Sequence, residues 1–119
     1  MGGRMSIGEI CRALSLSVVC PGDETRTIEG VIVGDLLSHI LGEAREDWIW
    51  VTIQVHLNVS AVAVLKELPL VILASGRTPQ EDLVKKCEEE NIALAVSPLR
   101  AYELCCRLHD LGIGGNAND

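Results

Sequence analysis

A chain of 119 residues has room for one hydrophobic core and is too short for a multidomain machine or for most stand-alone cofactor enzymes of the large α/β kind. With 48% hydrophobic and 23% charged residues it should be globular, and with 3% aromatic residues and no Phe its core must be aliphatic. The formal charge of −7, from 17 acidic and 10 basic side chains, argues against general nucleic-acid binding, which needs a basic surface to displace counterions, but leaves room for a local anion site.

Ser6 opens a short predicted helix: it is a good N-cap, Glu9 stands at the capping-box position, and Met5 and Ile10 take the staple positions. Ile7, Ile10, Cys11 and Leu14 then share one face. Leu16 to Val19 is a strand or extended segment, stopped by the turn sequence Cys20-Pro21-Gly22-Asp23. Thr27 to Val33 is a better strand. Gly34-Asp35 ends it, and Asp35 begins a helix through Leu41, closed by Gly42, with Leu36, Leu37, Ile40 and Leu41 as its apolar side. From Trp48 to His56 the residues alternate: Ile49, Val51, Ile53 and Val55 form an aliphatic face, and Trp48, Trp50, Thr52, Gln54 and His56 form a second face that is partly covered or turned to a partner.

Asn58 caps a predicted helix over Val59 to Glu67, although so many β-branched residues let the segment be read equally as a strand. Pro69 breaks it. Leu70 to Ala74 is a short apolar run ended by Ser75-Gly76-Arg77. Thr78-Pro79-Gln80-Glu81 is a helix start, with Thr as cap, Pro first and Glu third, and Leu83, Val84 and Cys87 form the apolar side. Ile92 to Val96 is another strand. Ser97-Pro98 starts the last helix, which runs to Leu111 with Leu99, Tyr102, Cys106 and either Leu108 or His109 along one side. Residues 1–4 are expected to be a disordered extension, 5–113 the folded domain, and 114–119 a flexible tail.

Short apolar strands alternating with helices are the pattern of an α/β fold with a largely parallel or mixed sheet. Ligands of such sheets bind beyond the carboxyl ends of the strands. Polar residues follow four such ends: Asp35, then His56 and Asn58, then Arg77 and Thr78, then Ser97. Gly76-Arg77 with the amides from Thr78 to Gln80 reads as a cradle for an anion or phosphate. Asp35, Asn58, Thr78 and Ser97 read equally as helix caps. His56 either pairs with Asp35 or is a strand histidine bonded to a backbone carbonyl.

The sequence contains no Gly-x-x-x-x-Gly-Lys phosphate loop, no Gly-x-Gly-x-x-Gly fingerprint and no Gly-x-Ser-x-Gly elbow. His39, His56 and His109 fall in different elements without metal-ligand spacing, so neither a metal nor a cofactor is expected. The five cysteines, Cys11, Cys20, Cys87, Cys105 and Cys106, are odd in number and lack a C-x-x-C pair, which fits free thiols in a reducing cytoplasm. No leader and no membrane-spanning run is evident, so a cytoplasmic protein is expected.

Gly30-Val31-Ile32-Val33-Gly34-Asp35-Leu36-Leu37-Ser38, the run from Trp50 to Ala63, Val71-Ile72-Leu73-Ala74-Ser75-Gly76-Arg77-Thr78-Pro79 and Glu89-Glu90-Asn91-Ile92 together resemble DRTGG domains over residues 5–113. Around Ser75 to Pro79 the chain keeps Gly and Arg-Thr but lacks the aspartate and second glycine of that family's motif, so no contact of those two residues carries over. The resemblance implies a three-layer α/β/α core like the N-terminal domain of HPr kinase/phosphorylase. Members occur beside CBS-domain pairs or in front of phosphotransacetylase, and small stand-alone ones resemble products of genes near iron-only hydrogenase subunits and serine-kinase-like regulators.

The implied role is regulatory or ligand-sensing and not enzymatic, with a nucleotide or other phosphorylated metabolite at the loop edge. An assembly protein working with a hydrogenase-associated or kinase-like partner is the alternative, ahead of a small enzyme using His56 and Asp35. Nucleic acid and membrane are not expected partners. A homodimer is expected, with Trp48 and Trp50, two indoles on one strand face, at or near its interface.

Overall fold

The computed structural model describes residues 4–114. The expected extension and tail therefore lie, apart from Arg4 and Gly114, outside the described residues. The elements in chain order are α1 (Ile7–Ala13), β1 (Ser17–Cys20), β2 (Gly30–Val33), α2 (Leu37–Glu43), β3 (Trp48–Thr52), α3 (Asn58–Lys66), β4 (Leu70–Leu73), α4 (Glu81–Glu89), β5 (Ala93–Val96) and α5 (Ala101–Asp110).

The five strands form one sheet in the order β1-β5-β4-β3-β2. β2, β3, β4 and β5 are mutually parallel, and β1 joins the β5 edge antiparallel. From β2 to β5 each new strand is laid beside the last in one direction. Right-handed crossovers then put every intervening helix on the same face. Accordingly Ile40 of α2, Val59, Val62 and Ala63 of α3, and Leu83 and Cys87 of α4 pack with Trp50, Val71, Leu73 and Leu94 of the sheet. On the other face Ile7 and Ile10 of α1 and Leu104 and Leu108 of α5 cover Ile49, Val51, Leu70, Ile72, Ala93 and Ala95. The result is a helix–sheet–helix sandwich on a mixed sheet.

The first helix forms as its sequence dictates. The Ser6 hydroxyl accepts the Glu9 amide at 3.2 Å, and the Glu9 carboxylate accepts the Ser6 amide at 2.9 Å, satisfying two donors that a helix start leaves orphaned. The segment Asn58–Lys66 is a helix despite its β-branched residues, because burial of Val59, Val62 and Ala63 against the sheet outweighs intrinsic propensities of a few tenths of a kcal/mol per residue.

Several expectations are corrected. The strand from Trp48 stops at Thr52 instead of running to His56. Both faces of the sheet are covered by helices, so Trp50 is 0% exposed and cannot anchor an interface with another chain. Its indole N–H donates to the Gly34 carbonyl at 2.9 Å. Trp48 is half-buried against the same core and lies over Gly30, where a Cβ would come within 2.7 Å of its Nε1. Gly42 lies inside α2, which ends at Glu43. The last helix begins at Ala101, not directly after Ser97-Pro98, and turns Leu104 and Leu108 inward. Tyr102, expected on the apolar side, is 80% exposed.

Candidate functional site

Because β2 to β5 are parallel, Asp35, His56 and Asn58, Arg77 and Thr78, and Ser97 all follow carboxyl ends of strands and belong to one rim of the sheet. The rim has two halves of different construction.

At the β2/β3 half, Asp35 joins two strand ends. Its Oδ1 accepts the Thr52 hydroxyl at 2.8 Å and the Ile53 amide at 2.9 Å, and its carbonyl accepts Gln54 Nε2 at 3.0 Å. The carboxylate thus receives the amide that would have continued β3, which is why that strand ends at Thr52. Asp35 does not cap α2: Leu36 holds the N-cap position without a side-chain bond. Nor do its hydrogen bonds include His56, which is exposed. Asn58 is the first residue of α3 and not its cap, and is also exposed. Leu36, 67% exposed, and Ile53, also exposed, add apolar surface. Thr52 and Gln54, the partners that fix Asp35, were not singled out by the sequence. Their only signal was membership of the polar face of an alternating run.

The β4/β5 half is closed. After β4 the chain turns toward α4 on one face, and after β5 toward α5 on the other. A crevice is expected where neighbouring connections diverge in this way. Here it is filled by backbone. Ser75 and Gly76 both have positive φ, 61° and 64°, and the Arg77 amide closes the turn on the Ala74 carbonyl at 3.3 Å. This is the type I′ pattern, which suits Gly at the second position. The turn folds over the next strand end, with Ser75 N donating to Leu99 O at 2.7 Å and Gly76 N to Ser97 O at 2.8 Å.

Ser97 is buried, its Oγ accepts the Leu99 amide at 3.1 Å, and its own amide donates to Leu73 O at 2.9 Å. It is part of this seal, does not cap α5 and is closed off from solvent. The expected amide cradle is likewise not formed. The Gly76 and Arg77 amides are engaged as described, Gln80 N donates to Val55 O at 3.0 Å, and Pro79 has no N–H. Gln80, not Thr78, precedes α4, whose first turn carries Glu81 and Asp82, repelling an anion. What is left free there is the amide of exposed Thr78, which has no hydrogen-bond partner among the described residues, and the exposed Arg77 side chain, which makes no ion pair with a described residue.

A cleft of about 650 Å³ opens at the opposite end of the sheet, between the C-termini of α2 and α3, with Asp47, Trp48, Leu65 and Glu67 in its lining. Asp47 is held there by an ion pair with Arg26 at 2.8 Å and by its amide bond to Glu67 O at 3.0 Å. Nothing in the sequence pattern pointed to it.

The cysteines are free thiols. Burial pushes Cys87 up to about 12, with Cys20 adding to the effect, and burial first and Glu88 second raise Cys20 itself. Cys11 and Cys105 are also raised, mainly by burial. Among the described residues no group of three or more His, Cys, Asp or Glu is placed to hold a metal, and no helix is long and apolar enough to cross a membrane.

No family model and no curated protein matches the sequence. Among solved structures, the fold is similar to that of the CBS and DRTGG domains of the regulatory region of Clostridium perfringens pyrophosphatase, solved in complex with its activator, diadenosine tetraphosphate. The TM-score is 0.71 at 19% identity, and the match covers 84% of this chain and 44% of that one. This chain therefore spans less than half the length of that structure, and what the two share is the fold. The likeness agrees with the α/β/α layering expected from the DRTGG resemblance.

Proposed function

We propose that the chain is a regulatory module without chemistry of its own, sensing a nucleotide or another phosphorylated metabolite on the β2/β3 half of the rim. The observation that carries this reading is the fold shared with a pyrophosphatase regulatory region; the rim supplies the groups. Asp35 keeps its second carboxylate oxygen for a ribose hydroxyl, a use that carboxylates at such strand ends have in other α/β folds. Leu36 and Ile53 offer apolar surface to a base, His56 and Asn58 add polar contacts, and Arg77, reaching in from the neighbouring β4 end of the rim, is the cation for a phosphate. The buried free thiols are in keeping with action in the cytoplasm.

Thermal-shift and calorimetric titrations with AMP, ADP, ATP and diadenosine tetraphosphate test the reading. A ligand at a hundredfold its Kd adds about 2.7 kcal/mol of stability, a shift of several degrees. Arg77→Ala should weaken the phosphorylated ligand about tenfold through loss of a charge-assisted bond. No shift with any of the four at millimolar concentration would refute nucleotide sensing.

A further inference from the structure

α3 carries apolar side chains on its outer side as well as its inner one, with exposed Asn58 at its start and Lys66 in its last turn as its polar ends. Its inner side packs on the sheet through Val59, Val62 and Ala63, while Leu57, Ala61, Val64 and Leu65 remain exposed on the outside. Leu65 is 71% exposed, and Leu41 of the adjoining α2 is exposed as well. Clustered apolar side chains left exposed on a packed helix mark a contact surface.

We propose that the outer side of α3 is the contact surface for a second copy of this chain, packed antiparallel about a two-fold axis at Ala61. This inference is independent of the ligand reading. The spacing is self-complementary. Leu57 and Leu65 lie four residues to either side of Ala61, so in an antiparallel pair each Leu57 meets the Leu65 of the second copy, as an isologous interface requires. Ala61, with only a methyl group, lets the helices approach at the axis.

Charge selects the same occupant. The stripe Leu57–Ala61–Val64–Leu65 contains no charged side chain on a molecule of net charge −7, so it is a seam along which two such molecules can meet without direct repulsion. An antiparallel pair also sets opposed helix dipoles side by side. The positive end of one α3 then lies by the negative end of the other, and Glu67, exposed just beyond α3, lies by the N-terminus of the second copy's α3. The exposed apolar stripe, with Leu57 41%, Val64 43% and Leu65 71% exposed, is smaller than the ~800 Å² each partner contributes to a standard interface. Its polar flanks widen it. A reversible dimer with a Kd of about 10 µM is the expectation for a contact of this size and composition.

Sedimentation equilibrium of the full chain from 1 to 200 µM is the test. The wild type should shift from monomer to dimer across this range. Leu65→Glu should weaken association at least a hundredfold with an unchanged circular dichroism spectrum, since the side chain is solvent-facing. Tyr102→Glu, equally exposed but on α5 across the sheet, should associate like wild type. In a Cys105→Ser, Cys106→Ser background, Ala61→Cys should give a covalent dimer with oxidised glutathione, and Arg100→Cys should not. A wild type monomeric at 200 µM would overturn the proposal. So would a dimer that survives Leu65→Glu, or loss of association in both glutamate variants.

Discussion

α3 and α4 are neighbouring nine-residue helices on the same face of the same sheet, and they meet solvent in opposite ways. Both bury one side, α3 with Val59, Val62 and Ala63, α4 with Leu83 and Cys87. Outward, α4 presents Glu81, Asp82, Lys85, Glu88 and Glu89, with Lys86 bridged to Glu89 and Glu90, whereas α3 presents Leu57, Ala61, Val64 and Leu65. The core demands the inner sides of both helices. Nothing within the subunit demands an apolar outer side on α3, and this difference separates a packing requirement from a contact surface.

Substitutions can break or sharpen that contrast. The largest effect should come from Trp50→Ala, which empties the sheet face under these helices and should cost about 3–5 kcal/mol in urea unfolding. Leu83→Ala, on the inner side of α4, should cost about 2–5 kcal/mol. A much smaller loss for either would mean that the inner sides are not the shared foundation described. On the outer sides, Leu65→Glu and Lys85→Ala should each change the unfolding free energy of dilute protein by only about 0.5 kcal/mol. Substantial destabilisation by Leu65→Glu would make its side chain part of the fold and not of a contact.

The thiols give a further contrast. At pH 8, Cys87 on the inner side of α4, held up at about 12 by burial, should resist a thiol reagent until the chain unfolds, while exposed Cys106 reacts at once. Prompt modification of Cys87 in native protein would mean that the interior under α4 opens readily. The smallest effect lies away from both helices. Hydrogen bonds from the Thr25 hydroxyl and amide lower Asp23 below its usual 3.8. Its contribution to stability is therefore complete above that value and is lost as pH falls through the lower folded-state value. Thr25→Val should raise the Asp23 titration midpoint seen by NMR, and an unmoved midpoint would remove the hydroxyl as the cause.

Features set by neighbouring residues were legible in the sequence. The Ser6–Glu9 box starts α1 as read, and the alternation of short apolar runs with helices gave the parallel sheet. Features set by distant residues were not. Alternation from Trp48 to His56 looked like one long strand, but the Asp35 carboxylate, brought in from the end of β2, takes the Ile53 amide and stops it. The Trp48–Trp50 face looked open because nothing local says that serial right-handed crossovers stack three helices over it. Ser97 and the Gly76 and Gln80 amides looked available because the folding of the Ser75-Gly76 turn onto Ser97 and Leu99 and the bond from Gln80 N to Val55 O are tertiary events. The apolar outer side of α3 was present in the sequence but could not be told from its core side until the sheet fixed which way the helix faces.

Amide hydrogen exchange, measured at 1 µM and again at 200 µM, probes the contrast between α3 and α4 most directly. The account predicts that amides from Leu57 to Lys66 which exchange by local opening slow at the higher concentration, while locally opening amides of α4 keep their rates and only globally exchanging ones share the general stabilisation. Equal rates for α3 at the two concentrations, or matching protection of the locally opening amides of α4, would contradict it.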